Sequence, residues 1–305
     1  MIKRTLYFGN PAYLKTTNEQ MVIEIQDTGE TKSVPIEDIG LIILDHQQIT
    51  ITQSLLAKLL ANNTAVITCD NTHHPVGLQL CLDGHTLQSQ KFKSQINASV
   101  PLKKQLWQQT VSAKIENQAI LLKKERAENL PAAQAGKYLL NLAAVVKSGD
   151  STNCEAKAAL YYWKHIFPDF LQFKRERYGP PPNNLLNYGY AILRALVARN
   201  LVASGLLPTL GIFHRNQYNA YCLADDVMEP YRPYVDQLVC GIIRGNGKFL
   251  EMTPAMKKEL LAIPAMDVMI DGQKSPMMNA VQRTTASLAK CFEGESRKML
   301  YPVMA

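Results

Sequence analysis

Asp225, Asp226 and Glu229 place three carboxylates within five residues, 11, 12 and 15 positions after His214. Like charges this close repel unless a cation lies between them or they diverge into water. A divalent ion held by carboxylates and one imidazole would resolve the conflict. Oxygen-rich ligation with a single nitrogen suits Mg2+ or Mn2+ better than structural Zn2+. The same residues also have a purely local reading, because Asp226 and Glu229 share the D-x-x-E spacing of a capping box. Pro230 favours a helix that begins later still, since the residue before a proline prefers an extended backbone. The apolar run Leu206 to Phe213 leads into His214 and is expected to be buried. Glu155 is a further acidic candidate, early in the helix expected after the Asn153 turn, where the helix dipole alone would favour it.

The remaining candidates are weaker. His73 and His74 fall in a turn beside Asp70 and Pro75, and adjacent residues of an extended chain point to opposite faces. His46, His85 and His165 lack a partner at ligand spacing and read as structural histidines. The six cysteines form no CxxC pair, which argues against a zinc site or a disulfide scaffold and fits a reducing cytoplasm.

The elements that must position these groups differ along the chain. Residues 1–90 read as a small strand domain, with segments at Leu6–Phe8, Met21–Ile25, Ile39–Leu44, Ile49–Ile51, Ala65–Thr68 and Val76–Leu80. These are short and punctuated by Gly, Asn and Pro, as in a sandwich of packed sheets. One helix is expected at Gln53–Ala61. The polar stretch from Gln88 to Ser99 has no sustained period, and residues 91–99 are taken as a linker. From residue 100 to 305 the period becomes helical: Leu102, Leu106, Trp107, Val111, Ile115 and Ile120 form one stripe. Gly149 to Asn153 is a turn with several possible helix caps, and Asn183 or Asn184 can cap the helix after Gly179-Pro180-Pro181-Pro182, which should end near Gly205. The expected fold is α+β, a β-sandwich-like domain followed by a larger all-α domain carrying the metal site. No window of the sequence is long and apolar enough for a membrane span.

Charge follows the same division. The chain carries 33 Lys+Arg against 26 Asp+Glu, a net charge of +7. Residues 1–100 hold 7 basic and 9 acidic side chains, and residues 101–305 hold 26 and 17, so the helical part carries the whole basic excess. Such an excess suits a polyanion such as nucleic acid, or simply a lysine-rich solvated surface.

Three linked motifs then carry a resemblance. They are Leu185-Leu186-Asn187-Tyr188-Gly189-Tyr190, the run Gly205 to His214, and Leu223-Ala224-Asp225-Asp226-Val227-Met228-Glu229-Pro230-Tyr231-Arg232-Pro233. In this order they closely resemble the CRISPR-associated adaptation integrase, the "Cas one" family, and Arg4 to Pro11 and Ile36 to Ile39 are similar to its strand domain. The Met-Glu-Pro-Tyr-Arg-Pro form is similar to members accompanying Cas nine effectors in type II systems. The resemblance implies spacer acquisition by metal-dependent DNA transesterification, with associated endonuclease activity, and Mg2+ or Mn2+ as cofactor. By motif position the ligands are Glu155, His214 and Glu229, with Asp226 as a supporting acidic residue and Asp225 as its rival. It further implies homodimerisation through the strand domain, double-stranded spacer and repeat DNA as substrates, the small "Cas two" protein as partner, and Cas nine as an associate. Basic candidates for the DNA are Arg175, Arg177, Arg194, Arg199, Arg215, Arg244 and Lys248, while Arg232 could instead pair with a carboxylate. Two other readings are a non-catalytic DNA-binding scaffold and a generic metal-dependent nuclease.

Overall fold

The computed structural model describes residues 3–25, 28–126, 128–168, 170, 173–177, 179–247 and 249–304. The chain opens with β1 (Arg4–Phe8) and turns at Gly9-Asn10-Pro11 into β2 (Ala12–Thr17). Asn18 and Glu19, both at positive φ, reverse it into β3 (Gln20–Ile25), the backbone that a tight hairpin requires. Then come β4 (Thr31–Pro35), β5 (Ile39–Leu44), β6 (Thr50–Ile51), α1 (Gln53–Ala61), β7 (Ala65–Cys69) and β8 (Pro75–Gln79). One sheet has the order β4-β3-β2-β6. The other is β1-β5-β7-β8, parallel across β1, β5 and β7 and antiparallel at β8. β2 and β4 escape the sequence pattern because they bury so little: Ala12 and Leu14 in one, Val34 in the other.

The second of these sheets is covered on both faces, as its mainly parallel pairing demands. Ile42 and Val66 face a small core shared with Leu14, Met21, Leu55 and Leu59. Leu41, Ile43, Ala65 and Ile67 face the other way, into the core of the helical domain. The strand region therefore has a small core of its own on one face of this sheet and shares the large helical core on the other.

The helical region comprises α2 (Gln88–Ile96), α3 (Val100–Glu125), α4 (Leu130–Ala144), α5 (Cys154–Ile166), α6 (Asn183–Ala203), α7 (Cys222–Met228), α8 (Arg232–Asn246), α9 (Pro254–Leu260) and α10 (Met277–Phe292). Two expectations are corrected here. The stretch expected as a linker is largely the helix α2, whose Gln95 is buried and donates to the carbonyls of Leu207 and Leu210 while accepting from the Leu207 N–H. A helix that docks through an amide shows no apolar period. Nor is the second region purely α: β9 (Asp267–Ile270), β10 (Gln273–Pro276) and β11 (Pro302–Val303) form a small antiparallel sheet. Asp271-Gly272, both at positive φ, make its hairpin turn, and that dipeptide was the available signal.

The expected stripe on α3 is buried from Leu102 to Ile115, with Ser99 capping the helix by accepting from Leu102 N–H. At α6, Asn183 starts the helix without capping it and instead binds the carbonyls of Lys174 and Pro180. Gly205, at φ +73°, follows the helix end. The strand and helical regions are tied by charge as well as by apolar contact. Asp45, fully buried after β5, accepts from Tyr7 Oη at 2.5 Å, His73 Nδ1 at 3.0 Å and Lys257 Nζ of α9 at 2.8 Å. Among the described residues no helix is long and apolar enough to cross a membrane.

Candidate active site

Glu155 stands in the first turn of α5. Asp150 sets that turn: its two carboxylate oxygens accept from the main-chain N–H groups of Cys154 and Glu155, at 2.8 and 3.0 Å. Asn153, at positive φ, makes no side-chain cap. Glu229 lies in a single 3-10 turn, Glu229–Tyr231, between α7 and α8. In that tighter winding residues three apart eclipse one another, and Arg232 Nη2 accordingly meets Glu229 Oε1 at 3.0 Å. Asn117 of α3 anchors the turn by donating to the Pro230 carbonyl at 2.8 Å.

Lys114, the residue before the buried Ile115 of α3, brings the two acids together. Its Nζ lies 2.6 Å from Glu155 Oε1 and 2.6 Å from Glu229 Oε2. Burial alone would lower the Lys114 pKa, but Glu229 and Glu155 overrule it and hold the ammonium charged. Burial likewise works to raise the Glu229 pKa, and Arg232 and Lys114 outweigh it, keeping the carboxylate ionised. Glu229 Oε2 meets the ammonium without the alignment of a hydrogen bond, so this buried oxygen has a countercharge but no directed donor. Lys114 has no place in the sequence reading, because one lysine beside an apolar stripe looks like a solvated neighbour.

His214 faces the same region. Its Nδ1 lies 2.5 Å from Asp226 Oδ1, and the hydrogen bond to that carboxylate raises the imidazole pKa. Its Nε2 has no hydrogen-bond partner among the described residues. Asp226 also accepts from the N–H groups of Phe213 and His214, at 2.9 and 3.3 Å. The capping-box reading of Asp226 is therefore corrected. The residue lies inside α7 and holds the preceding loop, while α7 begins earlier, its free Leu223 N–H taken by the Pro208 carbonyl at 2.8 Å. Gly211 permits this close approach, since a Cβ there would stand 2.4 Å from the His214 carbonyl and 2.8 Å from Asp226 Oδ2. Trp107 stacks on Phe213, centroids 4.4 Å apart, and meets the His214 ring edge-on at 5.5 Å. The run before His214 is only partly buried, because Leu210 and Phe213 are exposed.

Asp225 turns away, paired with Arg194 Nε at 2.7 Å and accepting from Asn219. Behind Arg232 lies a buried polar knot: the guanidinium sits 4.7 Å over the Tyr190 ring, and Tyr190 and Tyr162 both donate to Asp236. Burial pushes the Asp236 carboxyl up to about 6. Tyr188 is buried in the core.

The basic candidates divide. Arg199 is corrected: it is buried, and its Nε donates to the Asn63 carbonyl at 2.5 Å, tying α6 to the strand region. Arg175 braces Asn183 and Asn187, Arg194 is held by Asp225, and Arg244 by Glu125. Arg215 and Arg177 are exposed, and Lys248 lies outside the described residues.

Among the described residues no three His, Cys, Asp or Glu side chains form a ready-made ion cage. The donor set nevertheless suits a divalent cation, with two carboxylates already drawn to one positive charge and an imidazole nitrogen presented beside them. An imidazole fixed through its other nitrogen by a carboxylate is the usual support of a histidine ligand.

Comparison with known proteins adds the following. Residues 6–250 match the family model described as CRISPR associated protein Cas1. The CRISPR-associated endonuclease Cas1 of Neisseria meningitidis is 36% identical over 300 residues, covering 98% of this chain and 95% of the relative. A casposase bound to an integration product superposes with TM-score 0.79 at 18% identity, covering 98% of this chain and 92% of that one. A chain of a Cas6-RT-Cas1–Cas2 complex also superposes with TM-score 0.79, at 19% identity over 99% of this chain and 36% of the longer one.

Proposed function

The chain belongs to the CRISPR-associated Cas1 family, and from that premise we propose that it joins new spacer DNA to the CRISPR repeat by metal-dependent transesterification. The 3′-oxygen of a short DNA bonds to a repeat phosphorus, the existing bond from that phosphorus to a 3′-oxygen breaks, and the proton of the attacking hydroxyl passes to the released oxygen by way of solvent. One phosphodiester replaces another, so no energy-rich cofactor is consumed. Water in place of the attacking hydroxyl gives endonuclease cleavage.

The observation that carries this reading is the convergence of Glu155 and Glu229 on one cationic point, with His214 Nε2 free of protein partners. Glu155, Glu229 and His214 would hold Mg2+ or Mn2+. When bound, that ion polarises the phosphoryl oxygen and lowers the pKa of the attacking hydroxyl. The protein supplies the rest. Asp226 accepts a hydrogen bond from His214 Nδ1 and so fixes the tautomer of the neutral ring whose Nε2 lone pair would be the ligand. Arg232 neutralises the second oxygen of Glu229, and Lys114 keeps the two carboxylates together when no ion separates them.

The casposase complex with its product and the Cas1–Cas2 assembly support DNA and a Cas2 protein as partners. Homodimerisation through the strand region and association with Cas nine belong to the same proposal. The test is joining of labelled 3′-hydroxyl DNA to a repeat-bearing plasmid, with Mg2+ or Mn2+ and the Cas2 partner. Glu155→Ala and His214→Ala should each abolish joining while duplex binding survives. Normal joining by both variants would refute the assigned site, and cleavage without joining would identify a nuclease only.

A further inference from the structure

Most cations around the acidic centre are already spoken for. Lys114 and Arg232 serve the two glutamates and Arg194 serves Asp225. Lys103, Lys104 and Arg215 are different. They line a cavity of about 170 Å3 together with Trp107, Gly149 and Phe213, and no carboxylate contributes to its wall. None of the three charged heads has an ion-pair or hydrogen-bond partner among the described residues. Burial and the nearby Arg215 both lower the Lys103 pKa, which shows the two cations working against each other. Like charges gathered without a counterion cost free energy that an anion between them would recover.

The position of the cavity identifies that anion. Arg215 follows His214 directly, and Trp107 both lines the cavity and touches the His214 ring. An anion bound there would share the Trp107 ring with His214. Phe213, 46% exposed at the rim, offers a flat apolar face where a base of the same strand can stack. At about 30 Å3 per water the cavity has room for several waters, enough for a phosphate group and too little for a base pair.

We propose that Lys103, Lys104 and Arg215 form a phosphate subsite that grips a single DNA strand by the phosphodiester next to the reacting one. The inference rests on the DNA-joining reading but concerns binding, which is separable from chemistry. The subsite reads no sequence; it sets how far the strand is drawn across the acidic centre.

The test is equilibrium binding of a labelled DNA with single-stranded 3′ ends, in EDTA, as a function of salt. Lys103→Gln combined with Arg215→Gln should weaken binding and reduce the slope of log K against log salt by about 0.7 to 1. Lys274→Gln, on the hairpin strand β10 and outside the cavity wall, serves as the surface control and should leave the slope alone. A methylphosphonate linkage, which removes one phosphate charge, is then walked from the 3′ end. At one position it should weaken the wild type and have no further effect on the double variant. An unchanged slope, or equal sensitivity of both proteins at every linkage, would overturn the subsite. Because the slope is read in EDTA, where no joining occurs, failure of the catalytic reading would leave this result standing, and the converse holds.

Discussion

At the residue scale, the acidic centre is an expensive arrangement. Glu229 and Arg232 are almost or largely withdrawn from water, and Lys114 joins them with only 13% of its side chain exposed. Buried ion pairs of this kind seldom out-stabilise well-packed apolar groups, so their presence points to work other than holding the fold. Asp236 makes the cost measurable. Its folded-state pKa of about 6 lies above the ordinary carboxylate value of 3.8 because burial penalises the charge. The folded protein therefore holds a proton that the unfolded chain releases earlier, and this group's contribution to stability falls as pH rises between those two values. About 2 units correspond to roughly 3 kcal/mol. Urea unfolding at successive pH values should show that decline in the wild type, and Asp236→Asn should flatten it. The sequence disclosed His214, Glu229 and Asp226 as a crowded acidic neighbourhood, because charge density can be read along a chain. It gave no sign of Lys114, whose role exists only where α3, α5 and the 3-10 turn meet.

At the element scale, position depends on helix starts. Glu155 is useful because α5 begins where it does, and α5 begins there because Asp150 satisfies two otherwise orphaned N–H groups. Asp150→Ala should cost about 1 to 2 kcal/mol in thermal or urea unfolding. It should also lower strand joining beyond what that loss explains, by releasing the first turn that carries Glu155. Asp150→Asn, which keeps one acceptor, should fall between the two. The sequence marked the turn from 149 to 153 and offered several caps without choosing, since Asn153 and Asp150 are equally good candidates until the backbone is known. Long apolar stripes such as α3 were legible throughout. The helix α2 and the strand β4 were not, because both are held mainly by polar contacts or by a single buried side chain.

At the scale of the whole molecule, the two regions are locked by a charge that neither could bury alone. Asp45 is fully buried, and Lys257, its partner from the far end of the chain, is 6% exposed. Lys257→Ala should destabilise the protein by about 3 kcal/mol or more, since it takes the ammonium away from a buried carboxylate. Adding Asp45→Asn to that variant should recover part of the loss, a non-additivity that a double-mutant cycle in urea would measure. The change in composition and period near residue 90 was visible in the sequence; the common interior across it was not, because a strand buried on both sides reads the same as any other apolar run.

That sheet of β1, β5, β7 and β8 has a consequence for how the protein can be dissected. Leu41, Ile43, Ala65 and Ile67 spend their lower face on helices that arrive much later in the chain. A fragment cut near residue 90 would carry an uncovered oily surface and clump with its own kind. Cutting the chain there would expose one face of the sheet on the strand side and the matching apolar surface on the helical side: each is the other's lid.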